Sequence, residues 1–166
     1  MDREKINLDF IQNGYFSKRI NRYIERLLDL NEINVFGVLL FGSVARGEEK
    51  RNNEYTSDID LLIIIEEQGL PEKHIDRISF EVELMFGYDQ GIEAIWWNLS
   101  ELNTALSNKM PMILDAMDEG KILYDPNKIL KNARKSLLKE LKLIGVRKRK
   151  NSWVWPLEKI GDKIIF

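Results

Sequence analysis

The sequence contains no cysteine and only one histidine, His74. The lack of thiols excludes a disulfide scaffold, a cysteine nucleophile and a thiolate zinc site. The single histidine argues against a histidine-rich metal site and against a Ser-His-Asp triad, and His74 itself is expected to be solvated or to cap a helix. Carboxylates therefore remain as the main ligands for any metal ion.

Long apolar runs are also absent. The longest strongly apolar run, residues 61–65, is far shorter than the about 20 residues that a membrane-spanning helix needs. The charged start leads into no signal-type apolar core, so a cytoplasmic protein without membrane contact is expected. With 166 residues, 44% hydrophobic and 31% charged, the chain can bury a core without covalent cross-links.

Charge is distributed unevenly along the chain. Residues 126–166 carry 12 basic and 3 acidic side chains, a net charge of +9, whereas the rest carries −11. This pattern indicates either a tail that meets an acidic partner, such as nucleic acid through residues 147–155, or two parts that neutralise each other. Trp153 and Trp155 lie in that tail, and exposed tryptophans would need a partner or would have to fold back onto the domain.

Alternating apolar patterns predict an α/β (or α+β) fold with a small twisted mixed sheet and helices mainly on one side. The predicted strands are residues 35–41, 58–65, 92–97 and 121–124, and the predicted helices are 16–30, 43–48, 71–86, 112–119, 129–144 and one that begins near 99. One domain is expected over residues 1–166. It would comprise a helical extension (1–34), a core (35–125) and a C-terminal helix with a basic, aromatic tail (126–166).

Two aspartates at the start of the second predicted strand are the main candidate metal ligands. Side chains alternate along a strand, so Asp58 and Asp60 share a face while Ile59 points the other way. Two carboxylates beside an apolar strand are costly unless a cation neutralises them. Hard oxygen ligands suit Mg²⁺ or Mn²⁺, and such metal sites serve phosphoryl and nucleotidyl transfer.

A third acid is expected on the next strand. Glu93 stands between the apolar neighbours Ile92 and Ala94, and it would face the same metals if its strand pairs with the strand of Asp60. Glu81 and Glu83 are the competing acids, but they fall in a segment with helical periodicity.

A glycine and a serine follow the first buried strand. Gly42 allows a sharp turn and close approach to a ligand, and Ser43 adds a hydroxyl donor at the start of a short predicted helix. Together they suit the phosphates of a nucleoside triphosphate. Arg46, one turn later, would direct its guanidinium to the same phosphates.

In this order, FGSVARGE followed by SDIDLLIII resembles the signature of the DNA polymerase β-type nucleotidyltransferase superfamily, in particular its small stand-alone members, the minimal nucleotidyltransferases or MNT proteins. The resemblance implies that Gly42 and Ser43 bind the triphosphate, that Asp58 and Asp60 hold the metals, and that Glu93 is the third carboxylate. It extends over about residues 35–125. The 14-residue spacer 44–57 is longer than usual, and the third acid is Glu where Asp is commoner.

The resemblance implies a Mg²⁺- or Mn²⁺-dependent enzyme that moves a nucleoside monophosphate, AMP from ATP, to a hydroxyl and releases pyrophosphate. The acceptors open to it are a tyrosine of a HEPN-type toxin, as for MNT antitoxins, a small molecule such as an aminoglycoside, or an RNA end. The small size favours the protein acceptor. Two alternatives remain: an antitoxin module that binds nucleotide with weak or lost catalysis, and a nucleic-acid-binding domain that uses the basic tail.

Overall fold

The computed structural model describes residues 6–150 and 152–156, so the predictions for residues 1–5, 151 and 157–166 lie outside the described residues. The helices are α1 (Gly14–Asp29), α2 (Gly42–Arg46), α3 (His74–Met85), α4 (Leu99–Ser107), α5 (Pro111–Glu119) and α6 (Ile129–Leu143). The strands are β1 (Val35–Phe41), β2 (Ile59–Ile65), β3 (Ile92–Asn98), β4 (Lys121–Tyr124), β5 (Arg147–Arg149) and β6 (Ser152–Val154). Within the described ranges, no helix combines the length and apolarity that crossing a bilayer requires.

Four strands form one mixed sheet in the order β3-β2-β1-β4. Strands β2 and β3 run parallel, while β1 is antiparallel to both β2 and β4. The parallel pair is joined through α3, as a parallel crossover requires. The predicted α/β class and mixed sheet are therefore confirmed.

Helices cover both faces of the sheet, which corrects the expectation that they lie mainly on one side. Helices α1 and α3 pack on one face, and α4, α5 and α6 pack on the other. The reason lies in β2, where Leu61 and Ile63 enter the first core cluster while Leu62 and Ile64 enter the second. A strand that is apolar at five successive positions, as β2 is over residues 61–65, needs cover on both faces.

Some helix starts differ from the sequence prediction. Helix α3 begins at His74, after a turn that contains Pro71, whereas the pattern predicts Pro71 in the first helical turn. Helix α4 is capped by Asn98. The Asn98 side chain accepts from the Glu101 amide at 2.8 Å, and Glu101 accepts from the Asn98 amide at 2.9 Å. This reciprocal pair is a capping box, which fixes the entry of α4 directly after β3.

The C-terminal segment forms a hairpin, β5–β6, where the sequence predicts only a basic, aromatic tail. The hairpin folds back onto the domain because Trp153 donates its indole hydrogen to Asp115 of α5 at 3.0 Å. Lys148 contacts Asp115 at 3.0 Å and Asp118 at 3.2 Å, and it also pairs with Glu119. Of the two expectations for these tryptophans, the fold-back is therefore the one that the structure shows.

Candidate active site

The register of three neighbouring strands brings the predicted acids together at one end of the strands, where β1 ends and where β2 and β3 begin. Phe41, the last residue of β1, is paired with Asp60 near the start of β2. On the other side, Asp60 is paired with Glu93 of the parallel strand β3. Because neighbours in register point to the same face of a sheet, the Asp60 and Glu93 carboxylates lie side by side. They share the face that α4, α5 and α6 cover, at the edge where β1 ends.

Gly42 comes within contact of Asp60 in a way that only glycine allows. Its φ of 71° lies in the left-handed region, and a Cβ built on it would be 1.9 Å from Asp60 Oδ2. Both the backbone turn and the close approach therefore require glycine. The glycine at the end of the buried strand, predicted to approach a ligand, is held directly against the central carboxylate.

Asp60 lies in an acidic, half-buried environment. Burial, followed by the negative charges of Glu93 and Asp58, raises the pKa of Asp60 to about 6, while Arg46 acts in the opposite direction. Asp58 is exposed and precedes β2 by one residue, so the strand begins later than the sequence predicts. Glu93 and Asp58 nevertheless both act electrostatically on Asp60, and a cation beside Asp60 would be stabilised.

The long spacer does not displace Asp58. The buried Ser57 makes two hydrogen bonds with Lys50. The Ser57 amide donates to the Lys50 carbonyl at 2.8 Å, and the Ser57 hydroxyl accepts from the Lys50 amide at 2.9 Å. A bridge between Arg51 and Thr56 closes the loop further. The additional residues therefore project as a closed loop, and the chain returns to the sheet just before Asp58.

Arg46 is held by acids. Its guanidinium pairs with Glu48 at 2.7 Å and with Glu119 of α5 at 3.4 Å. With Asp115 and Lys148, these side chains line a cleft of about 370 Å³. The sequence predicted Arg46 beside phosphates but gave no sign of its contact with Glu119, which is 73 residues away along the chain.

The donor set suits a divalent cation that a nucleotide also ligates. Among residues 6–150 and 152–156, no three acidic or histidine side chains converge closely enough to hold an ion on their own. Magnesium is commonly bound by one or two carboxylates together with substrate phosphates, rather than by an all-protein cage. The in-register oxygens of Asp60 and Glu93, with Asp58 nearby, fit that pattern.

The competing acids lie elsewhere. Glu81 and Glu83 belong to α3, which packs on the opposite face of the sheet from the Asp60 and Glu93 side chains. Burial raises the pKa of Glu81 to about 7, while Arg77 opposes this shift. Trp96 and Trp97 of β3 point to opposite faces, since Trp96 enters the first core cluster and Trp97 packs against the second.

Comparison with known proteins adds a family. A family model described as "Nucleotidyltransferase domain" matches residues 20–135. No curated protein is detectably similar to the chain. A crystal structure of a toxin–antitoxin with AMP-PNP is 18% identical, with a TM-score of 0.47 over 74% of this chain and 86% of that chain. A mutant of the toxin–antitoxin MntA-HpeT is likewise 18% identical, with a TM-score of 0.45 over 75% of this chain and 86% of that chain.

Proposed function

Because the chain belongs to the nucleotidyltransferase-domain family, we propose that it transfers a nucleoside monophosphate, AMP from ATP, to a hydroxyl group and releases pyrophosphate. One observation carries the proposal: the register Phe41–Asp60–Glu93 gathers two carboxylates beside the Gly42 turn. The attacking hydroxyl forms a bond to the α-phosphorus, the α–β phosphoanhydride bond breaks, and pyrophosphate leaves with its electron pair.

Asp58, Asp60 and Glu93 form the metal-binding side of the proposed site. They would hold Mg²⁺ or Mn²⁺, which when bound lowers the pKa of the attacking hydroxyl and neutralises the leaving pyrophosphate. Glu93 is exposed at the edge strand of the sheet, where an acceptor reaches it from solvent. Its carboxylate would accept the proton that the acceptor hydroxyl loses.

Gly42, Ser43 and Arg46 form the phosphate-binding side. The absence of a side chain at Gly42 lets the triphosphate approach the backbone, and the Ser43 hydroxyl, partly exposed at the start of α2, donates to a phosphate oxygen. Arg46 leaves its weakly held contact with Glu119 when a phosphate offers a second partner. These groups position the reactants, which is a major part of nucleotidyl transfer.

The proposed acceptor is a hydroxyl of a partner protein, such as a tyrosine of a HEPN-type toxin. The acids Glu93 and Asp58 are exposed at the sheet edge, so a large acceptor can reach them. With a toxin as the acceptor, the chain would act as an antitoxin, because transfer of AMP would regulate the toxin that receives it.

The test is whether the chain transfers AMP from ATP onto a co-expressed HEPN-type partner. Intact-mass spectrometry of the partner and the release of pyrophosphate both measure this transfer. Wild type with Mg²⁺ should add one or more AMP units, and Asp60→Asn should add none while its thermal unfolding stays close to wild type. Normal ATP binding without any transfer would favour the binding module. Transfer by Asp60→Asn would show that the site is misplaced.

A further inference from the structure

Helix α3 exposes a row of large apolar side chains. Ile75, Ile78, Val82 and Phe86 are 67%, 45%, 51% and 80% exposed. Their spacing of three or four residues places them on one side of the helix, over roughly 16 Å of its length. The opposite side of α3 carries the buried residues Arg77 and Leu84, so the apolar row faces away from the core. Single exposed apolar residues are ordinary, whereas a continuous row is typical of an interaction surface.

Acidic residues surround this row. Asp76 and Glu83 are exposed along one flank of α3, and Glu72 is exposed just before the helix. Residues 66–93 as a whole carry eight acidic and two basic side chains, a net charge of −6. One of the two basic residues, Arg77, is buried and paired with Glu101 at 2.7 Å. The surface therefore repels nucleic acid and anionic membranes and favours a basic protein segment.

The surface is held in place at its C-terminal end. Arg26 of α1 donates to the Leu84 carbonyl at 3.0 Å and lies over the Tyr88 ring, which Arg22 also covers at 4.6 Å. The loop after α3 is fixed to the candidate active site, because the Ile59 amide donates to the Gly91 carbonyl at 3.0 Å. Ile59 stands between Asp58 and Asp60, so α3 leads directly to the edge that carries the acids.

We infer that the apolar row of α3, residues 75–86, is a docking surface for a basic amphipathic helix of a partner protein. An apolar row on a helix is complementary to the apolar face of a second helix, and lysines or arginines flanking that face would pair with Asp76 and Glu83. Docked there, the partner lies on the face of the sheet opposite the Glu93 carboxylate, and its acceptor group would have to reach the acids around edge strand β3. This last step, delivery of the acceptor, rests on the function proposed above.

The experiment measures binding rather than transfer. A fluorescent Leu/Lys amphipathic helical peptide is titrated with the full chain, and a Leu/Glu peptide of the same pattern serves as the charge control. Ile78→Lys combined with Val82→Lys should weaken binding of the Leu/Lys peptide by at least about tenfold. Leu143→Lys, at an even more exposed apolar position on α6, should stay within about twofold. All three positions are exposed, so circular dichroism should show unchanged folding.

Three results would overturn the inference: equal binding by the α3 double variant, equal loss in Leu143→Lys, or equal affinity for the Leu/Glu peptide. Sedimentation of the chain alone adds a fourth, because a dimer that the α3 double variant dissociates would make a second copy the occupant. Asp60→Asn should bind the peptide as wild type does. If wild type binds the peptide but transfers no AMP, the proposed function alone is refuted. If wild type transfers AMP but does not bind the peptide at α3, this inference alone is refuted.

Discussion

At the scale of residues, Gly42 and Asp60 depend directly on each other. We expect Gly42→Ala to lower the free energy of unfolding by about 2–4 kcal/mol, because the new methyl group combines left-handed strain with a clash against Asp60. Gly47→Ala is the matched control: its φ of 69° is similar, but a Cβ there meets nothing within 4 Å. Gly47→Ala should lower the free energy of unfolding, measured by urea denaturation, by only about 1 kcal/mol. Equal losses in both variants would show that the approach to Asp60 is unimportant.

Glu93 and Glu81 can be separated by kinetics. Glu93→Gln should reduce AMP transfer at least about 100-fold, because the amide neither accepts a proton nor neutralises a cation. Glu81→Gln removes a carboxylate from the opposite face of the sheet and should leave the transfer rate within about twofold. If the two results were exchanged, the third carboxylate would belong to α3.

Glu81 should instead make stability depend on pH. Burial raises its pKa from 4.5 to about 7 in the folded state, so the folded protein binds the proton more tightly than the unfolded chain. The stabilisation is complete below about pH 4.5 and is lost as the pH rises through 7. At pH 8, the free energy of unfolding of Glu81→Gln should exceed that of wild type by only on the order of 1 kcal/mol, because solvent screens the charge at this half-buried site. At pH 4.5 denaturant titrations of the two proteins should nearly coincide, and a gain of equal size at both pH values would contradict this account.

Sequence reasoning succeeds here where chemistry is local. Gly42, Ser43 and the Asp58–Asp60 pair lie within a short, ordered stretch, and Glu93 could be inferred because its strand was expected to pair with β2. The contact between Arg46 and Glu119 could not be predicted, since it depends on how α5 packs against α2. The roles assigned to these residues stay predictions until kinetics tests them.

At the scale of elements, the hairpin β5–β6 is attached through Lys148. Although burial opposes its charge, the hydrogen bonds that Lys148 donates to Glu119, Asp115 and Asp118 raise its pKa. Lys148→Ala should lower the free energy of unfolding by about 1–3 kcal/mol, because three neighbouring carboxylates lose their common cation. The exposed neighbour Arg149→Ala should change it by less than about 0.5 kcal/mol. Equal effects in thermal or urea unfolding would show that the hairpin is held by packing alone.

The elements that the sequence predicted are those with apolar periodicity. Strands β1 and β2 are continuous apolar runs, and α1 and α6 have an apolar residue every three or four positions. The hairpin lacks such a signal, because β5 consists of three basic residues and its turn uses Lys150 at a positive φ of 51°. Its pairing depends on contacts with α5, which lies about thirty residues earlier in the sequence.

At the scale of the whole molecule, the opposite charges of the two parts of the chain meet in the fold. Part of the basic C-terminal segment neutralises α5 through Lys148, while residues 66–93 keep their acidic surface. The division into extension, core and tail stays a prediction, although α1 and α6 both contribute side chains to the core clusters around the sheet. The acids Asp58, Asp60 and Glu93 of the candidate site repel a triphosphate unless a cation neutralises them.

The most direct test of the central claim is calorimetric titration of wild type and Asp60→Asn with a non-hydrolysable ATP analogue, with Mg²⁺ and with EDTA. We expect wild type to bind at least about tenfold more tightly with Mg²⁺, and Asp60→Asn to lose most of that difference, since one carboxylate of the cation site is gone. Equal affinities in all four titrations would contradict a site in which Asp60 and a triphosphate share a metal ion.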